Sequence, residues 1–245
     1  EWSCASVLEA YQKYDWRGDL SSTQRTLAPF RTAMRAALEG GDAHVFTEAG
    51  VSVLRWGGVL AHNGATLRAL GADSTAVFQA AVGQLDPQTA DLTRVDHVRL
   101  MNAGFTKIYS QLIDDFPIYD GRVGAALGYL VRLHLEERGA PKVPDLLKFP
   151  WGVAKGYVRG SARKNRNPSL GALTFPALRA DVRLHTRANI MAAWLLGELS
   201  ATGCFGQLPR TERVLALQSG LFMIGFEVPL SGGHESPPEA ERERG

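Results

Sequence analysis

The sequence predicts an all-α fold, and three observations carry that expectation. Apolar residues recur at helical spacing through most of the 245 residues. Capping residues and helix stops fall at the ends of several of those runs. Strand signals are thin, with only a short piece near Thr174-Phe175. At 45% hydrophobic and 21% charged, the chain has the composition of a globular protein with a substantial core. One helical domain is expected over 1–230, as a single body or as two lobes around a cleft. Residues 231–245, rich in Gly, Pro, Glu and Arg, read as a flexible tail.

Taken in order, the first helix is expected over 23–39, with Leu27, Phe30, Met34, Ala37 and Leu38 on its apolar side. A second over 43–56 ends at Trp56, just before the tight turn that Gly57-Gly58 implies. A third, 74–85, opens at Ser74, a candidate cap. The fourth follows Asn102, another candidate cap, and aligns Phe105, Ile108, Tyr109, Leu112 and Ile113 on one face. It should stop at Asp114-Asp115, because Phe116 precedes Pro117 and is driven toward an extended conformation. Asp120 then stands at a natural N-cap. The helix it opens carries Val123, Ala126, Leu127, Leu130, Val131 and Leu133 and is closed by Gly139. Beyond a loop-rich basic segment, the last two helices are expected over 178–199 and 211–222.

The most informative stretch is residues 101–127, which put Lys107 early in one helix and Asp120 at the start of the next. Lys107 lies about 10 Å along the helix axis from Asp114, at roughly 1.5 Å per residue. The six steps from Asp114 to Asp120 can span up to about 20 Å. The connector can therefore fold back and bring the two side chains to one cleft. A lysine there can serve as an amine nucleophile at a sugar C1′, and a carboxylate can activate the attacker and stabilise the cationic sugar. Asp120 serving only as a cap, and Lys107 reaching for solvent along an apolar face, are the plainer readings of the same residues.

Gly104-Phe-Thr-Lys107 and Ile118-Tyr-Asp-Gly-Arg-Val123 resemble stretches of the helix-hairpin-helix DNA glycosylases, above all bacterial proteins of the 8-oxoguanine glycosylase fold. The likeness covers residues 101–135, with shorter matches around Trp56-Gly-Gly-Val59 and 165–195. It departs from the usual Leu-Pro-Gly-Val-Gly hairpin, having only Gly104, three residues before Lys107. The resemblance implies a helix-hairpin-helix glycosylase-like domain that cleaves the N-glycosidic bond of a damaged or modified base flipped out of duplex DNA. It implies Asp120 as the catalytic carboxylate and Lys107 as the attacking amine where lyase activity accompanies base release. A flipped base needs a pocket that stacks it and reads its edge. Trp56, at the end of its helix, is the leading stacking candidate. Trp151 follows, and Trp194 fits core packing better. His185 and Asn189, one helical turn apart, could read a base or a phosphate, or bond to each other's surroundings at a helix surface.

Charge distribution points to the same partner. The whole chain is only +2, but residues 151–190 hold eight Lys and Arg against one acid, Asp181. Lys155, Arg159, Arg163, Lys164 and Arg166 sit among Gly, Ser and Asn, which let backbone approach phosphate closely. A solvated loop is the other reading of that segment.

No metal or other cofactor is expected. The six histidines are scattered, and the two cysteines, Cys4 and Cys204, match no metal or redox spacing. No apolar run approaches the roughly 18 residues of a membrane helix, and no secretory leader is read, so a cytoplasmic monomer acting on DNA is expected. Two rivals remain. One is a nucleic-acid-binding protein of a restriction or antiviral system that keeps the fold without the chemistry. The other, a metal-dependent nuclease, lacks the clustered carboxylates it would need.

Overall fold

The computed structural model describes residues 2–154 and 164–229. Among them lie nine α-helices: α1 (Val7–Gln12), α2 (Leu20–Gly40), α3 (Ala43–Trp56), α4 (Leu60–Ala69), α5 (Ser74–Leu85), α6 (Phe105–Leu112), α7 (Gly121–Glu137), α8 (Val182–Ser200) and α9 (Arg210–Ile224). Side chains define several starts. Asp19 accepts from the Ser22 amide at 2.8 Å, Asp42 from Val45 at 2.9 Å and Asp181 from Leu184 at 2.9 Å. Each satisfies an amide that the first helical turn leaves without a partner.

Two apolar cores organise these helices. Leu27, Met34, Phe46, Leu54, Phe78 and Tyr109 fill the first, drawn from α2, α3, α5 and α6. Tyr119, Val123, Leu127, Phe149, Leu196 and Leu217 belong to the second, built on α7, α8 and α9 with Ala10 of α1. Helix α8 serves both. Ile190 and Ala193 join the first core, while Ala188, Ala192 and Leu196 join the second. The chain crosses from one core to the other between α6 and α7.

Helix α7 approaches its surroundings unusually closely, which explains its glycines. A Cβ on Gly124 would collide with the Pro150 carbonyl oxygen and stand 2.9 Å from the Tyr119 hydroxyl. Gly121 packs backbone to backbone against Gly152, and the Gly152 amide donates to the Gly121 carbonyl at 3.2 Å. Only glycine allows that approach.

Several expectations need adjustment. Helices α1 and α4 were not legible, the first because it is six residues long, the second because Gly64 and Leu67 are its only buried residues. Helix α6 ends at Leu112, before Asp114, and the turn beyond it puts Asp115 at φ 56. Helix α8 starts at Val182, because Asp181 caps it and Leu178 donates to the Trp151 carbonyl at 2.7 Å instead. Ser74 caps nothing; its hydroxyl is buried against the Ala43 carbonyl. In place of a strand near Phe175 there are two isolated bridges, Leu170 with Leu173 and Trp151 with Ala177. Trp194 is 36% exposed rather than core, its indole N–H donating to the Pro87 carbonyl at 2.8 Å. No helix among the described residues is long and apolar enough to cross a membrane. The proposed tail, 231–245, lies outside the described residues.

The glycine packing has a direct test in urea denaturation. Gly124→Ala overpacks the α7 contact and should cost about 1–3 kcal/mol. Gly197→Ala, on α8 with no atom near its added methyl, should instead gain about 0.5–1 kcal/mol. Effects of the same sign at both positions would refute the packing argument.

Candidate functional site

The crossing from α6 to α7 buries a stretch of polar backbone that no helix can satisfy. Side chains from three helices take its hydrogen bonds. The Ile118 amide donates to the Gln218 side-chain oxygen at 2.7 Å, and the Tyr119 amide donates to the Thr106 hydroxyl at 3.0 Å. Asn189 donates from Nδ2 to the Pro117 carbonyl at 2.9 Å and accepts from the Thr106 hydroxyl at 2.6 Å. His185 lies with Nε2 2.8 Å from the Tyr119 carbonyl, which fixes the proton on Nε2. Burial pushes the His185 pKa down to about 4, against the opposing pull of that carbonyl and of Asp120. The ring is therefore neutral near pH 7.

Asp120 emerges from this clamped segment as the N-cap of α7. Its Oδ1 accepts from the Arg122 amide at 2.9 Å and the Val123 amide at 3.1 Å. Its Oδ2 lies 4.0 Å from Lys107 Nζ. Lys107 is only 6% exposed and donates to the Ala103 carbonyl at 2.7 Å. Burial holds its pKa below the ordinary lysine value; Asp120 works against that shift and Arg122 reinforces it.

Two local devices hold Lys107 on this line. Gly57, in the turn after α3, leaves the space that the lysine stem fills: a Cβ there would collide with Lys107 Cδ and stand 2.8 Å from Cε. Asn102, expected as the cap of α6, instead closes the turn before it: Gly104 holds the N-cap position, and Asn102 accepts from the Gly104 and Phe105 amides at 2.7 and 3.1 Å. Its own amide donates to Asn63 Oδ1 at 2.9 Å, and the Asn63 side chain occupies the room where a Cβ on Gly104 would stand.

Lys107 and Asp120 border a cavity of about 540 Å³. Tyr14, Trp16, Trp56 and Phe222 give it an aromatic wall, with Trp16 edge-on to Trp56 at 5.1 Å and to Phe222 at 5.8 Å between ring centres. Arg17 secures the wall, donating to the Trp56 carbonyl at 2.8 Å from a backbone at φ 58. Arg122, Arg166 and Arg179 line the cavity with Lys107, and Asp120 is the one carboxylate among its described lining residues. The volume suits a nucleoside-sized ligand.

The structure separates the residues singled out in the sequence. Trp56, His185, Lys107, Asp120 and Arg166 border one cavity. Asn189 does not: it is fully buried and its amide serves Thr106 and Pro117, so reading a base is corrected to holding the crossing. Lys164 pairs with Glu227 rather than lining this cavity. Lys155, Arg159 and Arg163 lie outside the described residues. Arg179 was counted only as one of the cations of 151–190, and Tyr14, Trp16, Arg122, Gln218 and Phe222 were missed. Only Arg122 carried a signal, two residues after Asp120 in the same first turn. No group of three His, Cys, Asp or Glu side chains able to hold a metal ion occurs among the described residues. No family model, curated protein or solved structure matches the chain.

The His185 environment makes stability pH-dependent. Between its ordinary pKa of 6.5 and its folded value of about 4 the unfolded chain binds a proton that the folded chain refuses. Stability should therefore fall by up to about 3 kcal/mol as pH drops through that window. In urea titrations from pH 7 to pH 4, His185→Gln, which keeps a donor for the Tyr119 carbonyl, should lose correspondingly less. An identical pH slope in the variant would remove His185 as the cause.

Proposed function

We propose that the protein is a DNA glycosylase of the helix-hairpin-helix kind, a monomer that frees a damaged or modified base from duplex DNA in the cytoplasm. The approach of Lys107 Nζ to within 4.0 Å of Asp120 Oδ2, at the edge of a nucleoside-sized cavity, carries this reading. Asp120 divides its work between two oxygens. Oδ1 holds the α7 amides, which keeps Oδ2 oriented beside the sugar. As the base departs, positive charge grows on the sugar ring, and Oδ2 opposes it.

Lys107 supplies the amine. Burial favours its neutral form, and the lone pair attacks C1′ as the glycosidic bond breaks. The departing base carries away the bonding electrons and takes up the proton that the nitrogen sheds on bonding C1′. The nitrogen lone pair of the secondary amine then breaks the C1′–O4′ bond, the ring oxygen takes a proton from water, and a Schiff base remains. Where water attacks C1′ instead, Lys107 positions sugar or phosphate. The aromatic wall stacks the flipped base, with Trp56 as the residue foreseen in the sequence and Trp16 beside it.

The reading is tested with modified-base duplexes in EDTA, followed by hot alkali to reveal abasic sites. Wild-type protein should yield cleavage at the modified position. Asp120→Asn should lower base release roughly 100-fold or more while binding persists. Binding without product from any duplex would instead favour the nucleic-acid-binding protein without chemistry.

Borohydride present during turnover should trap a covalent protein–DNA adduct, and Lys107→Gln should abolish it. Product without adduct would assign the attack to water and leave Lys107 a positioning role.

A further inference from the structure

The aromatic wall and the Asp120–Lys107 pair leave three arginines of the cavity without a task, and two of them are held by one residue. The Arg122 guanidinium packs 4.4 Å from the Phe222 ring centre and 4.9 Å from that of Phe226. Arg166 donates from Nε to the Phe226 carbonyl at 3.3 Å. Among the described residues, no carboxylate lies within 4.0 Å of either guanidinium, and Arg122 has no side-chain hydrogen bond. Burial lowers the pKa of both, and for Arg166 the neighbouring Arg122 charge lowers it further. Two like charges are thus fixed beside each other, half out of water, with most of their donors unspent. Arginine forks in that arrangement suit an anion with several oxygens.

We infer that Arg122 and Arg166 form a phosphate subsite, fixed by Phe222 and Phe226, beside the Asp120–Lys107 pair. Resting on the glycosylase reading, the phosphate is one of the two phosphodiesters flanking the flipped nucleotide. A phosphomonoester of a free nucleotide carries the same chemistry. Arg179 lines the same cavity and adds to the field without sharing the Phe226 anchor.

The probe is a duplex with one tetrahydrofuran abasic-site analogue, which has no base to release. Single methylphosphonates, neutral in place of a phosphodiester, are set on its 5′ side, on its 3′ side, or four nucleotides away. Wild-type protein should bind roughly 10- to 100-fold more weakly when one flanking phosphate is neutral, and the distant substitution should matter little. Arg122→Gln/Arg166→Gln should be weak toward every duplex and should change less than about 2-fold on flanking neutralisation, with a salt slope lower by about 1. Equal sensitivity in wild type and double variant, or indifference of the wild type to both flanking substitutions, would overturn the subsite. The wild-type arm decides the matter even where the double variant fails to fold, and Arg166→Gln alone serves as a milder change.

A parallel competition uses 2′-deoxynucleoside 5′-monophosphates against the matching nucleosides. Competition by the monophosphate but not the nucleoside, with no duplex binding, keeps the subsite and assigns it to free nucleotides. No binding of either probe overturns it. Phosphate-dependent binding without base release from any modified duplex would retain the subsite and discard the glycosylase reading. Base release with indifference to both methylphosphonates would do the reverse.

Discussion

The arrangement depends on a short run of buried backbone. Pro117, Ile118 and Tyr119 pass between two apolar cores, where each unpaired amide or carbonyl would cost about 1–3 kcal/mol. Thr106, Asn189, His185 and Gln218 answer those groups one by one. They come from α6, α8 and α9, so the hydrogen bonds also tie both cores to a common point. The crossing cannot slide by a residue without orphaning several of them. Asp120, the next residue, inherits that precision. The catalytic role proposed for Asp120 would need that precision, and a flexible connector would not supply it.

Lys107 illustrates how that rigidity is put to use. A cation at 6% exposure is unstable unless something compensates for the lost water. The Ala103 carbonyl and the Asp120 carboxylate at 4.0 Å compensate in part, while Arg122 works in the opposite direction. A tighter pair with Asp120 would stabilise the charged lysine and make it a poorer nucleophile. The intermediate separation leaves the amine easier to deprotonate and leaves Oδ2 unsaturated. The cap and the proposed chemistry therefore do not compete for Asp120, since they use different oxygens. Gly57 belongs to the same device, because any side chain there would push the lysine stem off its line.

Much of this was legible in the sequence because it is local. The Asn102 turn ahead of α6, the Phe116-Pro117 break and the Asp120 cap are each written within about four residues, and α3 and α5 run over the spans their spacing predicts. What escaped is non-local. Trp16 sits forty residues before Trp56, in a stretch without helical spacing, and only folding brings the two rings together. Asn189 and His185 share a helix face with the proper spacing for a site. Nothing in the spacing says that Asn189 meets Thr106 while His185 borders the cavity. The basic segment misled for a related reason. Counting its charges treated Arg166, Lys164 and Arg187 alike, whereas one lines the cavity, one pairs with Glu227 and one bonds the Leu92 carbonyl.

The same contrast explains why the cavity lies at the seam. Apolar cores are filled by side chains that maximise contact, and they leave little room for a ligand. Where the two cores meet, α3, α7 and α9 end or begin while α8 runs through, so backbone amides and charged side chains accumulate without entering either interior. The first turn of α7, the turn after α3 and the end of α9 all converge there, contributing Asp120 with Arg122, Gly57 and Phe222 respectively. A cavity assembled this way combines flat aromatic surface with surplus positive charge. That pairing is what a nucleotide presents in complement: a planar base and an anionic backbone. Neither feature alone would separate a nucleotide pocket from an ordinary cleft. Their meeting beside a buried lysine and an oriented carboxylate is what supports the proposed chemistry at the seam.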